Sequence, residues 1–292
     1  MDLNRIALIC AALLPAIALC SYIFAKDRVE KEPIGLLLLL FGLGAVSCYP
    51  AAWVEGILAD IIDPIFSAMG YVEGDTIMLS TPVYYLYQFV SNFIGVALVE
   101  EGFKFLILVV VTRKNKHFNS LFDGIVYGVF VSLGFAALEN VLYVLQNGWG
   151  NAITRAVLSV PGHMFNAVMM GYYYSLWHVI DKALVLEKDM IAQIGVPSNV
   201  PLFSSKKERW LCILVPVFFH GFYNFCCSVS GILWLMTLIG FVTFMYIYCF
   251  GKVRKVSKAD CSDDDASLFT LAEKYPFLKK SVIDAIKAET AQ

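Results

Sequence analysis

Long runs of apolar residues, separated by short polar segments, dominate the pattern along the chain. A helix needs about 20 mostly apolar residues to cross the hydrocarbon core of a bilayer. Runs of about that length cover residues 6–24, 34–54, 90–111, 122–145, 156–180, 210–229 and 232–250. The pattern therefore predicts an all-α polytopic membrane protein, a bundle of seven transmembrane helices. The aromatic stretch 83–89 either lengthens the third helix or forms an eighth element at the membrane interface.

Composition agrees with a chain that faces lipid. Of the 292 residues, 59% are hydrophobic and 16% are charged, whereas soluble domains carry roughly 25% charged residues. The formal charge of −2 and the dispersed basic residues argue against a nucleic-acid partner, which would require a basic surface. The eight cysteines show no metal-binding spacing, and most lie in apolar runs, so no disulfide framework is predicted.

The basic residues predict the orientation. Placing successive loops on alternate sides puts 19 of the 22 lysines and arginines on one side, while the loop 55–82 on the other side has five acids and no base. The positive-inside rule then places the N-terminus outside the cell membrane and the C-terminus in the cytoplasm. We predict a transmembrane domain over residues 1–251 and a cytoplasmic tail over 252–292, with short helices between 267 and 288.

Several polar and ionisable side chains lie within the predicted spans, where a charge costs at least about 2.5–3.5 kcal/mol. They are Glu100, Glu101 and Lys104 in the third run, Glu139 and Asn140 in the fourth, His163 and Asn166 in the fifth, and His220 and Asn224 in the sixth. Counted from the external end of each run, the acids and histidines lie about eight or nine residues in, roughly 12–14 Å deep. Their common depth predicts one site built from four helices.

Spacing within the helices predicts local geometry. Glu100 and Lys104 are four residues apart and share a helix face, where the ammonium favours an ionised carboxylate. Glu101 is rotated by about 100°, so the two acids are expected to serve different roles. His220 and Asn224 are also four apart, which places an amide where it can orient the imidazole or donate to an oxyanion.

Structural explanations stand beside these functional ones. The Glu100–Lys104 pair could hold the bundle together, and single histidines or asparagines often form hydrogen bonds between helices. Asp123 lies in the first turn of the fourth run, where a carboxylate stabilises a helix N-terminus. His117 and His178 are expected to be solvated. A transporter or proton-relay protein, or a non-catalytic seven-span scaffold, are the rival functions.

Four ordered sequence blocks carry a resemblance to a known family. Residues 100–104 (EEGFK) form an EExxK motif, 122–140 contain FDG, YG, GF and EN, and His163 and 220–224 (HGFYN) complete the set. Together they resemble the PrsW family of intramembrane proteases, which is related to the CAAX prenyl endopeptidases and the bacteriocin-processing proteases. The resemblance covers about residues 89–225 and suggests a protease core over about 89–229.

The resemblance implies hydrolysis of a peptide bond in a membrane-associated protein near the extracytoplasmic side, with a single-span anti-sigma factor as a candidate substrate. In our hypothesis Glu100 or Glu101, with His163, acts as general base on a water molecule. His220 and Asn224 stabilise the oxyanion.

Glu139 orients a histidine or shuttles protons in this hypothesis, and Lys104, Asn140 and Asp123 support the site. We favour a reaction without a cofactor. The alternative is zinc bound by His163, His220 and a glutamate, although the sequence contains no HExxH motif.

Overall fold

The computed structural model describes residues 3–73, 76–194, 204–262, 271, 273–275 and 278. Its helices are α1 (Leu3–Lys26), α2 (Ile34–Ala68), α3 (Thr81–Val90), α4 (Leu98–Thr112), α5 (Asp123–Val157), α6 (Ser159–Ile194), α7 (Lys206–Ser228) and α8 (Ile232–Ala259). A π-helix, Ser91–Ala97, lies between α3 and α4. Strands β1 (Tyr71–Glu73) and β2 (Thr76–Met78) form an antiparallel hairpin between α2 and α3.

The described part of the chain is that of an all-α membrane protein. Five of its helical segments are long and apolar enough to cross a membrane, namely Leu3–Lys26, Ile34–Ala68, Asp123–Leu186, Lys206–Ser228 and Ile232–Ala259. The segment Asp123–Leu186 contains α5 and most of α6. Many large apolar side chains face outward, where a soluble protein would carry polar groups. The count of seven spans stays a prediction.

Several helices are longer than the apolar runs predicted. Helix α2 continues to Ala68, so Glu55 lies on a helix and not in the predicted loop 55–82. The residues that join α3, the π-helix and α4 all have right-handed helical φ and ψ, so the stretch 83–89 extends the third predicted helix. Helix α8 ends at Ala259, beyond the predicted domain boundary at residue 251.

Helix α5 packs against α1, α2, α4 and α6. Glycines allow two of these close approaches. A Cβ at Gly171 of α6 would lie 2.2 Å from the carbonyl oxygen of Gly124 on α5, and a Cβ at Gly134 would lie 2.0 Å from that of Phe41 on α2. Without side chains at these positions, the backbones pack directly against each other, as small residues permit in membrane helices.

Helix α5 is interrupted near its end. Gly148 has φ +74° and ψ −162°, which is outside the helical region and which glycine adopts without steric penalty. The residues after Gly148 therefore do not continue the straight path of the helix. The predicted short helices of the tail lie mostly outside the described residues, although Leu271 and Tyr275 pack against the Val179 region of α6.

Candidate active site

Six of the polar residues named in the sequence analysis line one cavity of about 660 Å³. Side chains from α2, the π-helix and α4 to α8 line it. Those that the sequence analysis named are Glu100, Glu139, His163, Asn166, His220 and Asn224. Its size lies within the range of ligand-binding clefts. Four successive helical segments thus bring their polar residues to a common place, as their similar depth predicted.

Lys104 contacts three other polar residues of the site. Its ammonium lies 2.8 Å from Glu100 Oε2, 2.9 Å from Glu101 Oε1 and 3.2 Å from His163 Nδ1. It also stands 4.2 Å from the centre of the Phe135 ring. The side chain is 1% exposed, so these groups replace the water that the ammonium would otherwise bind. One cation thereby links the two acids of α4 to α6.

The two glutamates of α4 occupy different environments. Glu100 lines the cavity, whereas Glu101 is completely buried behind it. Glu101 Oε1 lies 2.9 Å from His220 Nδ1, and its other oxygen, Oε2, is buried without a hydrogen-bond partner in the described part of the chain. When His220 Nδ1 donates to Glu101, its Nε2 faces Glu100 Oε2 at 4.0 Å.

His163 is held through both of its ring nitrogens. An ammonium can only donate a hydrogen bond, so Nδ1 must accept from Lys104 and Nε2 must carry the proton. Nε2 then donates to Glu139 Oε2, and the two atoms are 3.0 Å apart. Arg155 Nη2 lies 2.8 Å from the same carboxylate oxygen. The histidine is therefore fixed between two charged groups on different helices.

Arg155 reaches Glu139 because of the break at Gly148. Sixteen residues separate them in the sequence, which would be about 24 Å along a straight helix. The sequence analysis missed Arg155, because this residue lies between the predicted apolar runs 122–145 and 156–180 and therefore in a predicted loop. Gly148 and Gly150 were the available signal, because glycines weaken a helix. Glu55 also lines the cavity. The sequence analysis missed it because it assigned Glu55 to the loop 55–82.

Not every predicted residue reaches the cavity. Asn140 points away and ties α5 to α1, donating to the Ala12 carbonyl at 2.8 Å and accepting from Arg155 Nε at 2.9 Å. Asp123 lies at the opposite end of α5 and accepts the main-chain N–H groups of the turn before the helix. His178 is not solvated as expected, because its ring stacks on Phe118 at 4.0 Å.

Among the described residues of the cavity region, Glu100, Glu101 and His163 form a group that could hold a metal ion. One potential ligand atom from each lies within 4.8 Å of the other two. This triplet differs from the predicted set of His163, His220 and a glutamate. Carboxylates and imidazole are suitable zinc ligands. However, the Lys104 ammonium lies within 3.2 Å of one such atom in each of the three residues, so as arranged the triplet does not fit a resident ion.

The two histidines lie close together. Their ring centres are 5.5 Å apart at an interplanar angle of 79°. Neighbouring contacts hold the helices that carry them, since Ser132 on α5 donates to the His163 carbonyl at 3.0 Å. On α7, the ring of Phe93 from the π-helix lies 2.6 Å from where a Cβ of Gly221 would be. The helices that carry the two histidines are thus held by close contacts with their neighbours.

Comparisons with known proteins identify the family of this chain. Residues 32–250 match the family model described as PrsW family intramembrane metalloprotease, a span that includes α2, which the predicted resemblance had left out. Protease PrsW of Bacillus subtilis is 31% identical over 85% of this chain and 95% of its own length. Protease PrsW of Geobacillus kaustophilus is 33% identical over 75% and 78%. No solved structure gives a significant match. The chain therefore belongs to the PrsW family of intramembrane proteases.

Proposed function

We propose that this protease cleaves a single-span membrane protein near the extracytoplasmic side, with Glu100 as general base. The observation that carries the proposal is the convergence of Glu100, Glu139, His163 and His220 from different helices on one cavity. A structural ion pair would not require all four groups to line an open space. A cavity of about 660 Å³ has room for a short peptide segment and a water molecule.

Glu100 is the better candidate for the base because it faces the cavity, whereas Glu101 is completely buried. A general base must lie within hydrogen-bonding reach of the water that it activates. Glu100 Oε2 and His220 Nε2 are 4.0 Å apart, a separation at which one water can contact both atoms. Lys104 Nζ lies 2.8 Å from Glu100 Oε2 and holds this carboxylate in place.

The reaction follows from these positions. Glu100 takes a proton from water while the water oxygen attacks the carbonyl carbon of the substrate. The Asn224 amide, and His220 when it carries both ring protons, donate to the resulting oxyanion. The proton on Glu100 then passes to the nitrogen as the C–N bond breaks. The products are a carboxylic acid and an amine, and Glu100 returns to its ionised form.

The remaining groups act as positioning residues. Glu101 holds His220 through Nδ1, which fixes the direction of Nε2. Glu139 and Arg155 hold His163, which in turn accepts from Lys104. This role for His163 differs from the base function expected from the sequence, because both of its nitrogens are engaged.

The side of cleavage rests on the distribution of basic residues, which predicts an external N-terminus. An anti-sigma factor with one membrane span is the substrate that the family resemblance suggests. The relatives are named only Protease PrsW, so the substrate is a proposal for this chain.

Capture of the substrate tests the proposal. A photo-crosslinking residue at Val96, which lines the cavity, is introduced together with Glu100→Gln to prevent turnover. The same crosslinker at Trp53, which is 69% exposed on α2, is the matched control. We expect a single-span protein to be captured at Val96 only, and to be cut by the wild-type enzyme. A captured partner that the wild-type enzyme leaves intact would contradict proteolysis.

A further inference from the structure

A second cluster of carboxylates, two of them buried and one half-buried, lies far from the cavity. Oxygens of Asp27, Asp123 and Asp260 lie within 4.8 Å of one another. Asp123 begins α5, sixteen residues before Glu139, about 24 Å along the helix. Asp27 directly follows α1, and Asp260 directly follows α8. Three chain segments that are distant in sequence thus place acidic groups at one point, where like charges repel unless a cation or proton intervenes.

Ser120 shows how close two of these carboxylates are. Its hydroxyl oxygen lies 2.6 Å from Asp123 Oδ1 and 3.0 Å from Asp260 Oδ2. A hydroxyl has one proton to donate, so it cannot fully satisfy both acids. The main-chain N–H of Phe122 donates to the other Asp260 oxygen at 3.0 Å. This hydroxyl therefore leaves either Asp123 Oδ1 or Asp260 Oδ2 without its proton.

Asp27 supplies an independent indication that the cluster binds a ligand. It is 1% exposed, and its Oδ1 has no hydrogen-bond partner among the described residues. Its Oδ2 accepts from the Glu32 N–H over a long distance of 3.4 Å. Lys31 of the same loop directs its ammonium to the main-chain carbonyls of Phe24 and Asp27. A buried carboxylate oxygen without a partner is unfavourable by roughly 1–3 kcal/mol or more.

We propose that Asp27, Asp123 and Asp260 bind a hard divalent cation of the Mg²⁺ or Ca²⁺ class. Such ions prefer oxygen ligands at about 2.0–2.6 Å, so two oxygens on opposite sides of the ion stand about 4–5 Å apart. The mutual separations within 4.8 Å meet that condition. The absence of sulfur or nitrogen from this triplet favours these ions over zinc.

The bound ion would stabilise the fold by linking three helix ends. It would join the end of α1, the start of α5 and the end of α8, and α5 carries Glu139 of the candidate active site. The role is structural and separate from catalysis, so metal binding at this site does not depend on the cavity residues.

Terbium binding tests the proposal with the full-length protein in detergent. Tb³⁺ is an oxygen-seeking probe of Ca²⁺ sites whose emission nearby tyrosines sensitise, and Tyr127 donates to Glu32 at 2.6 Å. We expect saturable Tb³⁺ emission that Ca²⁺ or Mg²⁺ displaces, and at least about tenfold weaker binding in Asp260→Asn. Asp60→Asn, which changes an exposed acid on α2, should bind like the wild type. The relative potency of the two ions as displacers identifies which one the site prefers.

Two outcomes would overturn the proposal. One is the absence of saturable binding to the wild type, measured also as bound Mn²⁺ per chain by equilibrium dialysis, which does not depend on any variant folding. The other is Tb³⁺ binding that is unchanged in both Asp27→Asn and Asp260→Asn; loss of that binding in Glu100→Gln would then place the ion at the cavity.

Discussion

Replacing Lys104 with Met tests whether its ammonium stabilises the active-site residues that it contacts. Methionine keeps the length and the apolar stem of the side chain but removes the ammonium. Glu100 and Glu101 would lose contacts of 2.8 and 2.9 Å, and His163 one of 3.2 Å. Since Lys104 is 1% exposed, water cannot readily take its place. Two buried carboxylates would then share one site without compensating charge.

The expected loss is large. Removing one partner of a buried ion pair destabilises a protein by about 3–5 kcal/mol. Glu101→Gln in the same chain removes one of the uncompensated charges. The double variant should therefore be more stable than the sum of the single effects predicts, with a coupling energy of about 1–3 kcal/mol. Cleavage should fall in Lys104→Met, because the ammonium that positions the Glu100 carboxylate would be lost.

Reversible unfolding in mixed micelles, followed by circular dichroism, measures these free energies. Lys258→Met changes an exposed lysine near the end of α8 and should alter stability by less than about 0.5 kcal/mol. Strictly additive effects of the Lys104 and Glu101 substitutions would refute the reasoning. A Lys104→Met protein that gained activity on binding zinc would also refute it, because the ammonium would then be blocking a metal site.

Further predictions follow from single contacts. Asn224→Ala should lower turnover by roughly 10²–10³ with little change in substrate capture, and an unchanged kcat would remove the amide from the oxyanion site. Arg155→Gln should lower kcat by about 10- to 100-fold, since it removes the cation of the ion pair that holds Glu139, and recovery in Arg155→Lys would show that the charge matters. Gly171→Leu should force two helices apart and destabilise the protein by about 1–3 kcal/mol or more in the same unfolding assay; wild-type stability would contradict the close approach. In a background without exposed native cysteines, Ser80→Cys should react with an impermeant reagent on intact cells and Ser204→Cys only after permeabilisation, and the reverse pattern would invert the predicted topology.

The sequence was sufficient to identify most of the candidate site. Ionisable residues are unfavourable in a bilayer, so Glu100, Glu139, His163 and His220 stood out within apolar runs. The contacts among these residues within the cavity could not be predicted from the sequence. Which nitrogen of His163 faces which partner depends on how α4, α5 and α6 are rotated against one another, and hydropathy carries no information about that rotation.

Features caused by backbone irregularity were missed. The π-helix that precedes Glu100 has no distinctive composition, and the break at Gly148 brings Arg155 to Glu139 across a long sequence separation. The length of α2 was underestimated because Asp60 and Asp63 lower its hydropathy, although the helix continues beyond them. Helix length in a membrane protein is set by packing as well as by apolar content.

The most direct test is cleavage by purified protein in liposomes that contain the captured single-span substrate. The account predicts that the wild type cuts it on the external side, that Glu100→Gln does not, and that Asp60→Asn retains full activity. Activity should survive a chelator selective for transition metals while Mg²⁺ is kept in the buffer. Cleavage by Glu100→Gln at the wild-type rate, or activity that disappears with the chelator and returns with Zn²⁺, would contradict a glutamate base acting without metal.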